Sequence, residues 1–326
     1  MRIASWFSMA CGLAASWIAL PANAQGSAMP SSRPITLIVT IAPGGSMDSL
    51  ARIYAEKLKD QLQHNVVVEN RTGAGAALGT EYVARSAPDG HTILLMDTST
   101  VLQNLFHKNV SFDTVKDFEP MAKAAEVQLG LFANPSLGAT DVKGLLAYGR
   151  ANPGKLSAGF GGVGTPHHLA GTMLNMDTKL DITLVPYRGS ALSVTDLLGG
   201  QIPLIWSTPP AVLPHVRAGK VNGIAVASAK RIALLPQIET FAEAGLSGVR
   251  VDMWMGFAAP RGTPRPFLQR FSKAIGTISE MPDVRKRLTE LGFEIVYQDP
   301  EKFRGQIASD FARYGKIIDE AGIAAK

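Results

Sequence analysis

From Arg33 onward the apolar positions fall into short continuous runs separated by stretches with helical spacing. ITLIVTIA (Ile35 to Ala42) predicts a buried strand, and SMDSLARIYAEKLKDQL after it sets Leu50, Ile53, Tyr54, Leu58 and Leu62 on one helical face. VVVE and TILLM predict the next two strands. Between them the segment after Gly79 predicts a helix, ended by the turn cluster Ala87-Pro88-Asp89-Gly90. This alternation implies parallel strands with both sheet faces covered, where ligands bind beyond the carboxyl ends of the strands.

A second round of the pattern begins near Gln128. LGLFAN predicts a strand, DVKGLLAYGRAN a helix stopped by Pro153-Gly154, and LSAGF a strand entering the loop GGVGTPHH. A helix through Leu169 and Leu174 follows, then the strand ITLVPY, the loop RGS, a helix to Gly199-Gly200, the strand IPLIWS, a Pro-rich turn and the strand NGIAVAS. After Val251 to Phe257 the chain turns to charged helical segments with no further strand expected to pair with them. Asp299-Pro300-Glu301 supplies the N-cap, first-position proline and early acid of a last helix. The expected organisation is two α/β units: residues 33–127 with 255–326, and residues 128–254, with a cleft between them.

Composition narrows the class. The chain has 326 residues, 46% of them hydrophobic, and carries a formal charge of +5. Its basic residues are scattered, the densest cluster being Arg285-Lys286-Arg287, so no stripe suggests nucleic acid. Residues 1–24 have Arg2, an apolar core without acids, and the small-residue pattern Ala22-Asn23-Ala24, which reads as a secretory leader cleaved after Ala24. The expected location is the periplasm, with Gln25 to Ser32 as a flexible arm. Cleavage removes Cys11, the only cysteine, so no disulfide is expected and the fold must rest on its core.

The stretch from Val66 to Asp97 resembles a dinucleotide fingerprint, with Gly73, Gly75 and Gly79 after an apolar run and a carboxylate further on. Glu69-Asn70-Arg71-Thr72, however, separates the strand from the first glycine, where a dinucleotide loop turns almost at once. The glycines therefore read as turn and packing residues.

Three other loops are suited to anions. Pro43-Gly44-Gly45 makes a tight turn with Ser46 as a candidate N-cap, and a helix start behind a glycine turn can hold a carboxylate or phosphate. Asp48 in the first turn competes with such a ligand unless it points away or acts through water or a hydroxyl. Gly159 to Thr165 is a second glycine loop entering a helix, and Tyr187-Arg188-Gly189-Ser190 a third turn with a permanent cation. For catalysis the sequence offers little: no Gly-x-Ser-x-Gly elbow, and His167 and His168 adjacent on a helix, so pointing about 100° apart and unable to clamp one metal together.

In order and wording, these loops resemble the solute receptors of tripartite tricarboxylate transporters, the Bug family. The match runs through RPITLIVTIAPGGSMDSLAR, VVVENRTGAGAALGTEYVARSAPDGHTILL, VKDFEP, ANPGKL, GVGTPHHLAG, VPYRGSALSVTDLLGGQI and DPEKF. The resemblance implies a type II-like periplasmic-binding-protein clamshell, each domain a mostly parallel sheet flanked by helices. It further implies a small organic acid as ligand, a tripartite membrane permease as partner, no cofactor, no metal, no catalysis and a monomer. Carried over position by position, the ligand loops are Pro43, Gly44, Gly45, Ser46 and Asp48; Thr98, Ser99 and Thr100; Gly161, Gly162, Gly164, Thr165 and His168; and Tyr187, Arg188 and Gly189. Three departures bear on the ligand: Asp97-Thr98-Ser99 where small residues are common, Phe160 for a usual Ser or Gly, and Trp206-Ser207-Thr208 where an Asp often follows the strand. Adding Phe160, Trp206 and Ser207 to the site gives an expected pocket with an apolar face, suited to an acid with a sizeable, even aromatic, body. A ligand-loaded sensor presenting to a membrane signalling protein would use the same pocket, and an exported hydrolase is the third alternative.

Overall fold

The computed structural model describes residues 32–73, 76–107, 109–187 and 189–324. The leader, most of the arm, Gly75 and Arg188 lie outside the described residues. Two sheets organise the chain. The first contains β1 (Ile35–Val39), β2 (Val66–Asn70), β3 (Thr92–Asp97), β4 (Phe118–Val127), β10 (Met253–Pro260) and β11 (Phe293–Gln298) in the order β11-β4-β10-β3-β1-β2. The second contains β5 (Gly130–Ala133), β6 (Ser157–Phe160), β7 (Thr183–Pro186), β8 (Leu204–Ser207) and β9 (Asn222–Val226) in the order β7-β6-β8-β5-β9. Chain connections between the sheets run from Val127 to Gly130 and return before Met253.

Each sheet has a parallel part built as the periodicity predicts. In the first, β1 pairs with β2 and β3 in parallel; in the second, β6 pairs with β7 and β8. The remaining pairings are antiparallel, so both sheets are mixed. β10, the returning strand, inserts between β3 and β4 and is buried along most of its length. β11 adds to β4 as an edge strand, against the expectation that no strand follows residue 260. Its sequence FEIVYQ alternates weakly, and its pairing partner lies far back in the chain, so local pattern gave it no support.

Helices α1 (Ser46–Leu62), α2 (Ala77–Ala84) and α3 (Thr98–Phe106) cover the first sheet's parallel strands, while α4 (Val142–Ala151), α5 (Pro166–Thr178) and α6 (Ser190–Leu198) belong to the second. The Pro-rich segment expected to be a turn is α7 (Pro209–Arg217): prolines in its first turn need no N–H partner, and Pro214 is tolerated further along. α8 (Arg265–Ser279) and α9 (Pro282–Glu290) return to the first sheet, where Phe267, Phe271, Ile275 and Leu288 join its core with Tyr54 and Phe257.

The last helix, α10 (Pro300–Ala321), is capped by Asp299, whose side chain accepts from Lys302 N at 2.9 Å. It packs on β4, α3 and α5, so it touches elements of both sheets. Trp254 Nε1 donates to Asp310 at 2.8 Å, and the Asp252 backbone N–H donates to the Tyr314 hydroxyl at 3.2 Å, fastening the returning chain to this helix. One hydrophobic cluster runs through both halves, from Leu94 and Phe106 to Leu169 and Trp206. The two sheets thus share a core at the side of α10.

Candidate functional site

The first loop leaves β1 at Thr40 and enters α1 at Ser46. Gly44 has φ +86°, a left-handed conformation that favours glycine, and Gly45 is the N-cap of α1 with no side chain to cap it. Pro43, Gly44 and Ser46 are exposed.

Asp48 is held by partners within its own half. Its carboxylate accepts from the Gly44 backbone at 2.9 Å, from Arg52 Nε at 2.9 Å and a second Arg52 nitrogen at 3.0 Å, and from Asn70 Nδ2 at 2.9 Å. The same Asn70 amide also donates to Ile41 O at 3.0 Å. Asp48 is buried, and the Arg52 hydrogen bonds hold its carboxyl down at about 2 against the opposing effect of burial. Its charge is paired with Arg52, and the same carboxylate pins the loop at Gly44. Arg52 and Asn70 are the residues that sequence reasoning missed here, although an acid four residues before an arginine on a helix is a readable pair.

β3 stands beside β1, Val39 level with Leu95, so Asp97 lies next to the first loop. Asp97 and Thr100 form a capping box at the start of α3, the Asp97 side chain accepting from the Thr100 N–H and the Asp97 N–H donating to Thr100 Oγ1 at 3.4 Å, while Ser99 Oγ donates to the Asp97 carboxyl at 3.1 Å. Burial pushes its carboxyl up, with the Ser99 and Thr100 bonds opposing. The N-terminus of α3 is therefore already matched by a carboxyl of its own chain. Thr98 is buried; its hydroxyl donates to Asp252 O at 2.9 Å and accepts from Trp254 N at 3.0 Å, tying α3 to the returning strand. Thr100 is buried too, so of these three residues only Ser99 keeps partial exposure.

In the second half, β6 and β7 end level, Phe160 beside Pro186, which sets the loops after them side by side. Gly162 (φ +116°) and Gly164 (φ +75°) shape the first loop, and Thr165 caps α5 through the His168 N–H. Thr165 also donates its hydroxyl to Gly162 O at 2.7 Å, while Gly161 and Gly162 remain half-exposed. Gly189 (φ +102°) is the N-cap of α6, again without a side-chain cap. Tyr187 donates its hydroxyl to Asp196 at 2.7 Å; burial and that carboxylate raise it to about 12. Arg188 lies outside the described residues.

An aromatic contact joins the two halves near these loops. The His168 ring stacks on Phe160, centroids 5.0 Å apart and planes at 10°, and its other neighbour is Phe106 of α3 at 5.2 Å. The Gly164 N–H points to His168 Nδ1 at 3.4 Å, and His107 Nε2 stands 3.3 Å from where a Cβ on Gly164 would be. Burial lowers the His168 imidazole.

The aromatic pocket face is corrected by these positions. Phe160 is 1% exposed and Trp206 fully buried, both in the hydrophobic cluster with Leu169 and Leu174. Trp206 packs on Phe241 at 5.6 Å and lies beneath Gly171 of α5. Ser207 is also fully buried. Side chains alternate between faces along these strands, and Phe160 and Trp206 take the face that α5 covers, while Ser207, next to Trp206, takes the other. Among the described residues no group of His, Cys, Asp or Glu could hold a metal ion, and no helix is long and apolar enough to cross a membrane.

Two sheets of parallel strands with returning antiparallel partners, joined by crossings and carrying glycine loops at the strand ends, define the periplasmic-binding-protein class. The comparisons refine this. The chain belongs to the tripartite tricarboxylate transporter family of receptors, whose pattern it matches over residues 50–323. It is 36% identical over 290 residues to a Pseudomonas sp. (strain P51) protein from the tcbD-tcbE intergenic region, covering 89% of this chain and 86% of that one. It is 33% identical to protein BugT of Bordetella pertussis, over 96% of each chain. Among solved structures, an R. palustris protein with adipate superposes at TM-score 0.81 with 31% identity, covering 90% of this chain and 99% of that one. MatC of Rhodopseudomonas palustris with bound malate gives 0.76 with 29% identity, covering 88% and 99%. The protein is a solute-binding receptor of this family.

Proposed function

We propose that the protein captures a small aliphatic carboxylate, most favourably a dicarboxylate of malate or adipate size, between the loops of its two sheets and presents it to a tripartite membrane permease from the periplasm. In this reading residues 33–127 with 255–326 form one jaw and residues 128–254 the other, and closure on the ligand supplies specificity. The observation that carries the proposal is the locked first loop. Asp48 is paired with Arg52, hydrogen-bonded by Asn70 and takes the Gly44 N–H, and the uncapped start of α1 keeps first-turn N–H groups without a side-chain cap for an anion to meet. The uncapped start of α6 at Gly189 offers a second such end on the other sheet, and two ends suit a ligand with two carboxylates. The acids bound by the two R. palustris relatives, malate and adipate, support the same class. Burial of Phe160 and Trp206 removes the reason for an aromatic body.

A thermal-shift screen of the purified mature protein against aliphatic and aromatic mono-, di- and tricarboxylates tests this. A ligand at 100 times its dissociation constant adds about 2.7 kcal/mol, which moves the midpoint by a few degrees. Shifts led by aliphatic dicarboxylates support the proposal; shifts confined to aromatic acids, or absent for every acid, refute it.

A further inference from the structure

Two buried polar groups beside α5 lack a partner among the described residues, Trp206 Nε1 and the ring of His167, and the second stands nearer the loops. His167 is the second residue of α5, directly after the glycine loop, and both its ring nitrogens are closed off from solvent without a hydrogen-bond partner among the described residues. A neutral imidazole carries one N–H donor and one acceptor, and buried groups of that kind are nearly always paired. Burial alone pulls the imidazole down to about 4, so it is neutral at physiological pH and offers a donor without a charge.

The neighbours of α5 show where this donor stands. Four residues later, Gly171 lies on the same helix face, since residues at i and i+4 align. A Cβ at Gly171 would stand 2.6 Å from the Leu184 side chain of β7 and 3.1 Å from Trp206 Nε1 of β8. That face therefore looks onto β7 and β8. Because α5 connects the parallel strands β6 and β7, it runs antiparallel to them, and its first turn lies at their carboxyl ends. His167 is one turn, roughly 5.4 Å, nearer those ends than Gly171. There the loops of Gly161 to Gly164 and of Tyr187 to Gly189 begin.

We infer that His167 is a specificity-determining residue: its neutral ring N–H donates to an acceptor group of the bound acid at the second sheet's end of the site. This rests on the receptor reading and deepens it. A neutral donor favours a hydroxyl, carbonyl or carboxylate oxygen and does not by itself require a full negative charge, so it ranks acids by the position of their second acceptor.

The test compares wild type, His167→Leu and His167→Asn in calorimetric titrations with malate and adipate, alongside their unliganded melting midpoints. Leucine fills much of the space without a donor, and asparagine restores an N–H. The inference predicts that His167→Leu weakens the better of the two ligands at least tenfold, with an unliganded midpoint equal to or above that of the wild type, because an unpartnered buried polar group has been removed. His167→Asn should recover part of the affinity. Wild-type affinity in His167→Leu overturns the inference and leaves the receptor reading standing, as would be found if an internal water alone satisfied the ring. A lowered midpoint in both variants, with the affinity loss not relieved by asparagine, assigns His167 to packing and also overturns it. If the wild type binds no acid of the wider carboxylate panel, the receptor reading fails and this assignment fails with it.

Discussion

Arg52 Nε lies 2.9 Å from the Asp48 carboxylate one helical turn before it, and that pair, not a ligand, neutralises the acid at the head of α1. The consequence is that Asp48 acts through the loop. In Asp48→Asn the ionic bond goes and the Gly44 anchor weakens. The expected result is a stability loss of about 1–2 kcal/mol, discounted because Arg52 is half exposed, and a tenfold or greater loss of carboxylate affinity. Chemical denaturation and calorimetry on the same variant check the two parts.

Gly44 tests the loop geometry without touching charge. A Cβ there would meet nothing within 4 Å, so any effect of Gly44→Ala comes from φ +86° alone. The variant should lose about 1–2 kcal/mol of stability or shift the loop, with reduced ligand affinity. Gly305→Ala is the control: it lies inside α10, also with open space, and should stabilise by about 0.5–1 kcal/mol without altering affinity.

Acid titration separates two groups by window. The His167 imidazole is depressed to about 4 from 6.5, so between those values the unfolded chain binds a proton that the native chain refuses. Stability therefore falls as pH drops from 6.5 towards 4, by about 3 kcal/mol in all, and then levels for this group. Asp48 is depressed to about 2 from 3.8, so its contribution is present above pH 3.8 and is lost as pH falls towards 2. Urea midpoints measured from pH 7 to 3 should show a smaller first decline in His167→Leu than in the wild type, what remains coming from the lowered His168 imidazole.

Trp206 tests the corrected pocket. Its side chain is fully buried among Phe241, Leu169 and Leu174, so Trp206→Ala should cost about 3–5 kcal/mol. Trp206→Phe, milder in volume, should bind the same acids in the same order of preference as the wild type. A changed preference towards larger acids would return Trp206 to the ligand wall.

The sequence was most informative where a segment's burial is settled by its own neighbours. α1 runs from Ser46 to Leu62 as its spacing predicts, and the strand-loop-helix units around β1 and β6 follow the apolar runs. It was least informative where partners are distant. β4 carries Pro120, Lys123 and Glu126, poor strand formers, and becomes a central strand because β10 and β11 pair with it; Lys123 is kept buried by Glu126 and Gln306. At the site, the loops and their glycines were legible from turn chemistry and resemblance. The direction of Phe160 and Trp206 was not, because a strand end shows two faces and only the packing of α5 chooses between them. Asn70 escaped notice because its role is a contact with Asp48 across 22 positions.

The most direct measurement is a calorimetric titration of the purified mature protein with adipate and malate at neutral pH. The account predicts one saturable site per chain for at least one of them, with tight binding that benzoate and citrate do not match. Stronger binding of an aromatic acid or a tricarboxylate, or no heat with either dicarboxylate, would contradict it.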